Sequence, residues 1–171
     1  MSVRLLCRFW VVSVCVAASL SALDKVRSDL ASTKYGVTGK GVIYAMIDRG
    51  IDWQNKDFQN ADGTKRIAYI FDLTDNTGAS DPSNPYGVGT IYTQAQINQA
   101  LKGRPPIAER DYVGHGTTNT AVAAGNGSNV AKYHGIAPEA TILTVKLVAD
   151  PTPAYGSTPA MPGFQDIQLI P

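Results

Sequence analysis

Beyond residue 22 the chain has no cysteine: two of its 171 residues are Cys, and both Cys7 and Cys15 precede that point. Residues 23–171 therefore cannot form a disulfide among themselves and offer no thiolate to a metal. An excess of either charge is also missing. The 15 Lys and Arg are scattered and nearly balanced by 14 Asp and Glu, leaving a net charge of +1. That argues against a nucleic-acid partner, whose footprint would be a basic stripe. The apolar run from Phe9 to Ala18 is shorter than the roughly 20 residues a membrane-spanning helix needs, so no membrane span is expected. Histidine occurs only as His115 and His134, which confines imidazole chemistry to two positions.

What is present begins with the N-terminus. Arg4 and Arg8 form a positive region, Phe9–Ala18 an apolar one, and small residues follow through Ala22. This order reads as a secretory signal peptide over residues 1–22, which places the remainder, 23–171, outside the cytoplasm. A buried N-terminal helix or a misassigned start competes with that reading. Lipid attachment at Cys15 is disfavoured because the preceding Val14 is not small. The hydrophobic content of 44% is that of a globular protein with a core.

Two apolar runs read as strands of an open sheet. Val42–Ile47 is almost unbroken, as in a strand buried on both faces, and Thr141–Val148 is β-branched and apolar. A helix between them makes a βαβ crossover and predicts that the two are parallel and central. Lys65–Leu73, with Ile67, Tyr69 and Phe71 alternating, reads as a half-exposed strand entered through the Asp62-Gly63 turn. Residues 76–91, rich in Gly, Pro, Ser and Asn, read as a surface loop. Thr93 and Gln96 have capping-box spacing ahead of Ile97 and Leu101, and Gly103 and Pro105-Pro106 end that helix. The fold class expected is α/β, a three-layer sandwich around a mostly parallel central sheet.

Asp48 stands at the carboxyl end of the first strand, followed by Gly50, where open sheets collect catalytic groups. His115 stands between Gly114 and Gly116 at the start of an Ala-rich helix ended by Gly125. An Asp that fixes the tautomer of a His, which in turn takes a proton from a nucleophile, needs this placement. The pair is expected at a hydrogen-bond distance of about 2.6–3.2 Å. Taken alone, Asp48 also reads as a strand-end cap. Asp52 and Asp57 read as turn or surface carboxylates, and His134 as a core or cleft-lining residue.

Three stretches then acquire a common meaning: Asp48-Arg49-Gly50-Ile51-Asp52, Gly114-His115-Gly116-Thr117 and Tyr133-His134-Gly135-Ile136-Ala137-Pro138-Glu139-Ala140. In order and spacing they resemble the subtilisin-like serine peptidases, over roughly residues 36–171. The resemblance implies a secreted endopeptidase with Asp48 and His115 as two members of an Asp-His-Ser triad, a peptide or protein as substrate, and no cofactor. It further implies that Gly135-Ile136-Ala137-Pro138 is a turn into a core strand. By the same resemblance, residues 150–163 lead to a substrate-binding edge, and the helix from Thr93 to Pro106, together with Ile107–Arg110, is a surface insertion near the cleft.

The chain departs from the family pattern in two places. Arg49 replaces the usual Thr or Ser, which removes a supporting hydrogen bond or hands it to another residue. No Gly-Thr-Ser-Met-Ala-type nucleophile motif occurs before Pro171, so the chain is expected to be the front half of a catalytic domain, inactive by itself. Ser157 is no substitute, because Pro159 and Pro162 would break the helix a nucleophile opens. There is also no room for a propeptide between residue 22 and the first motif.

Other chemistries remain on the residues. A strand-end Asp48 suits phosphoryl transfer, but no P-loop lysine accompanies it. Asp48, Asp111, His115 and His134 could ligate a metal in a hydrolase, a reading that leaves the glycines around His115 unexplained. An inactive pseudopeptidase is the non-enzymatic alternative. Asp72, Asp75, Asp81, Asn76 and Asn84 leave room for a structural calcium, yet their spacing follows no calcium loop and reads better as solvated turns.

Overall fold

The computed structural model of the chain describes residues 27–103 and 105–149. The expected signal peptide, the loop 150–163 with Ser157, and the segment 164–170 lie outside the described residues.

In chain order the elements are α1 (Ser28–Tyr35), β1 (Ile43–Asp48), a 3-10 turn (Lys56–Phe58), β2 (Ile67–Asp72), β3 (Thr90–Thr93), α2 (Gln94–Leu101), α3 (His115–Ala124) and β4 (Thr141–Lys146). The strands form one sheet in the order β1-β4-β2-β3. β4 runs parallel to both β1 and β2, while β3 is antiparallel to β2. Asp48 and Lys146 are register partners, so the catalytic candidate sits at the carboxyl end of a parallel pair. This is a mostly parallel α/β sheet, as expected.

One face of the sheet is covered. Met46, Ile70 and Ile142 share a single core with Ile97 and Ala100 of α2 and Ala124 of α3. Burying each such isoleucine contributes roughly 1.5–3 kcal/mol. The opposite face is open among the described residues, where Ile43, Tyr69 and Ile47 (63% exposed) are uncovered. β1 therefore departs from the expected burial on both faces, and it is the outer rather than a central strand of the four. Its continuous apolar run is real, but α3 covers only the Met46 side. β4, between β1 and β2, is central as expected.

The capping box forms as read: Thr93 Oγ1 accepts the Gln96 N–H, and Gln96 Oε1 accepts the Thr93 N–H at 2.8 Å. Two elements were not foreseen. α1 buries no residue and lacks an amphipathic stripe, so its signal is only the left-handed cap at Gly36. β3 is four residues long and follows the glycine-rich loop that hides it. Within that loop Asn84 Nδ2 donates to the carbonyls of Gly78, Val88 and Gly89, and Asp81, like Asp72 at the end of β2 and Asp75 after it, accepts the N–H two residues on. These are Asx turns, the local bonding these side chains favour.

Arg66 ties the layers together. Its guanidinium is buried and donates to the carbonyls of Ala140, Asp57 and Ala124, joining the start of β4, the 3-10 turn and the carboxyl end of α3. A cation at a helix carboxyl terminus also complements the helix dipole.

Candidate active site

The helix that presents His115 is built at both ends by side chains and turns of nearby sequence. At its start Asp111 accepts the Gly114 N–H (2.8 Å) and the Thr117 N–H (2.9 Å), and Thr117 Oγ1 donates to the same carboxylate at 2.6 Å. A carboxylate there satisfies orphan amides and suits the positive end of the dipole. Asp111 is thus a helix cap rather than the metal ligand weighed above. At the other end the amides of Gly135, Ile136 and Ala137 donate to the carbonyls of Gly125, Val122 and Ala123. The Gly-Ile-Ala-Pro turn caps α3 and delivers the chain into β4.

Gly116 brings this helix onto β1. A Cβ at position 116 would overlap the Gly50 carbonyl oxygen and lie 3.1 Å from Asp48 Cβ. Only a residue without a side chain permits that approach, which explains the second glycine of Gly-His-Gly.

The approach places His115 Nδ1 2.7 Å from Asp48 Oδ1 and 2.8 Å from Oδ2. A carboxylate accepts, so Nδ1 is the donor, and in the neutral ring Nε2 carries the lone pair. The Asp48 side chain is 10% exposed and that of His115 37%, so the carboxylate is set back and the imidazole reaches outward. Two further groups hold the carboxylate: the Arg49 N–H donates to Oδ1 at 2.7 Å, and Asn119 Nδ2 donates to Oδ2 at 3.0 Å. Asn119 follows His115 by four residues on the same helix face and was not singled out in the sequence. Asn119 and the Arg49 backbone amide together hold the Asp48 carboxylate that the imidazole approaches. The spacing of Asn119 from His115 was the available signal.

Glu109 was also missed. It is 1% exposed, and its Oε1 accepts the Ile51 N–H at 2.8 Å. Burial pushes its carboxyl up to about 8, opposed by the Ile51 hydrogen bond and Lys146 and reinforced by Asp72 and Asp111. Nothing in its local sequence marks a buried carboxyl, because the burial comes from Ile51, Trp53 and β4.

The remaining candidates separate from the pair. Asp52 accepts the Gln54 N–H, a turn role, while Asp57 accepts the Asn129 N–H and so ties the 3-10 turn to a loop 72 residues further on. His134 Nδ1 lies 2.9 Å from the Gly135 carbonyl, beyond the carboxyl end of α3 and so a helix length from His115. Among the described residues no three His, Cys, Asp or Glu side chains are grouped as a metal site would need. No described helix is long and apolar enough to cross a membrane. A cavity of about 310 Å³ opens between the segments that flank the pair, lined by Ile51, Trp53, Gln54, Arg110, Asp111 and Tyr112 among others.

Comparison with known proteins identifies the family of the chain. The model of the Subtilase family matches residues 39–161, and the chain belongs to that family. Its structure is similar to that of the Clostridium perfringens CspB protease, with a TM-score of 0.61 and 30% identity over 73% of this chain. The match covers 25% of the CspB chain, so the present chain spans about a quarter of that protein's length. No curated protein matches the chain.

Proposed function

We propose that this chain carries the Asp48–His115 portion of an Asp-His-Ser triad in a secreted subtilisin-like serine endopeptidase. The observation behind the proposal is the carboxylate of Asp48 on His115 Nδ1 at 2.7 Å. In this reading Nε2 takes the proton of a serine hydroxyl as it attacks the substrate carbonyl, then returns it to the leaving amine. Asp48 stays ionised and stabilises the imidazolium. The serine and the oxyanion donors come from outside these 171 residues, which contain no Gly-Thr-Ser-Met-Ala-type motif. Export rests on the N-terminal charge and apolar pattern.

The test is casein hydrolysis and fluorophosphonate labelling by the complete protein, with and without a chelator. Turnover that labels with the probe, survives the chelator and falls by about 10⁴-fold or more in His115→Ala is expected. The 171-residue chain assayed alone should give none. Robust, serine-inhibitor-sensitive turnover by that chain would place the nucleophile within it, and activity lost to the chelator instead of the probe would favour a metal hydrolase.

A further inference from the structure

The turn that follows Asp48 is clamped from two sides. On one side Gly116 of α3 lies against the Gly50 carbonyl oxygen. On the other lies the segment Glu109-Arg110: a Cβ at Gly50, whose φ is +120°, would overlap Glu109 Oε1 and come within 2.7 Å of the Arg110 carbonyl oxygen. Glu109 Oε1 takes the Ile51 N–H at 2.8 Å, and Trp53 Nε1 donates to the Glu109 carbonyl at 3.2 Å. Lys146, the register partner of Asp48, is buried and donates from Nζ to the Arg110 carbonyl at 2.6 Å. The same short segment therefore holds the residues just after Asp48 and the strand beside it.

Filling that space does not require a carboxyl. An apolar side chain of similar length would occupy it at no desolvation cost, whereas Glu109 Oε2 is buried without a hydrogen-bond partner among the described residues. Such a burden is tolerated when the other oxygen performs a task that an apolar group cannot. Here that task is accepting the Ile51 N–H, which would otherwise be an orphaned buried donor.

We propose that Glu109 is a positioning residue: by accepting the Ile51 N–H beneath the Gly50 turn, its carboxyl fixes the height of Asp48 and so the Asp48–His115 hydrogen bond. This rests on the reading of Asp48 and His115 as a catalytic pair and adds the group that sets their spacing. Glu109 acts through the turn and touches neither member of the pair. The charged groups facing it are Lys146 from β4, Asp72 from β2, and Asp111 on its own loop. Burial keeps its proton up to about pH 8, so the acid acts as a neutral acceptor at neutral pH.

The experiment is nitrogen-15 NMR of the complete protein labelled at His and Ile, comparing wild type, Glu109→Gln and Glu109→Met. The side-chain shifts of His115 report which ring nitrogen bears the proton. Glu109→Gln keeps an acceptor for Ile51 and should leave the Nδ1–H form as in wild type. Glu109→Met matches the volume without the acceptor and should shift the ratio of the two tautomers about five-fold toward Nε2–H, the effect of one hydrogen bond. A wild-type ratio in Glu109→Met overturns the proposal while leaving the catalytic pair intact. A wild-type His115 that is not Nδ1-protonated overturns the pair itself. Should Glu109→Met fail to fold, a pH titration of wild type decides. The Ile51 amide and the His115 ring should move together with an inflection near pH 8, and the lack of a shared inflection overturns the proposal.

Discussion

Asn119 Nδ2 lies 3.0 Å from Asp48 Oδ2 and 3.2 Å from His115 Nδ1, so a residue one helical turn beyond the histidine shares its carboxylate. With the Arg49 N–H, three donors divide the lone pairs of this carboxylate, and Asn119 holds the oxygen that His115 approaches at the longer distance.

Replacing Asn119 by Ala removes one hydrogen bond from Asp48 and leaves the bond from His115 in place. The expected effect on the complete protein is a fall in kcat of about five-fold with KM unchanged, corresponding to a net hydrogen bond of about 1 kcal/mol. Steady-state kinetics on a peptide substrate measure this. A rise in KM alone would show that Asn119 faces the substrate instead.

Gly116→Ala tests the approach of helix to strand. Replacing Gly by Ala in a helix normally stabilises by up to about 1 kcal/mol. Here the added methyl meets the Gly50 carbonyl and Asp48 Cβ, and the backbone on both sides is fixed. Overpacking of this kind costs about 1–3 kcal/mol, so the net change is expected to be destabilising. A lower urea midpoint with an unchanged slope is the outcome that thermodynamics predicts.

The buried Glu109 predicts a dependence of stability on pH. Its carboxyl ionises near 4.5 when unfolded and near 8 when folded, so between these values the folded state binds the extra proton. Stability due to this group therefore falls as pH rises through that window, by up to about 1.4 kcal/mol per pH unit, and the penalty is complete above it. Glu109→Gln removes the titration. Urea unfolding of the two proteins from about pH 5 to about pH 8 should show the difference in stability growing in favour of the glutamine variant.

The parts of the fold that could be read from sequence are those where one local pattern dictates the outcome. The apolar run before Asp48, the Thr93–Gln96 capping box and the glycines around His115 each have a single structural solution, and each gave its element. Asp48 and His115 were legible because the chemistry of the pair and its placement coincide. The open side of β1 was not, since an apolar run looks the same whether one face or two are covered. Glu109 was hidden for a related reason: its burial depends on Ile51, 58 residues away in sequence, and on β4. α1 and β3 carry too few patterned residues to announce themselves.

The Asp48–His115 contact joins positions 67 residues apart, and the strand pairing that supports it, β1 with β4, joins segments still further apart. Closing loops of that length costs chain entropy before any contact compensates for it, so neither forms early in folding on its own. The pair, the helix cap at Asp111 and the parallel ladder should appear together in one cooperative step. The ring proton of His115 consequently doubles as a reporter of that step: its exchange with solvent should follow global opening of the sheet rather than local fraying of α3.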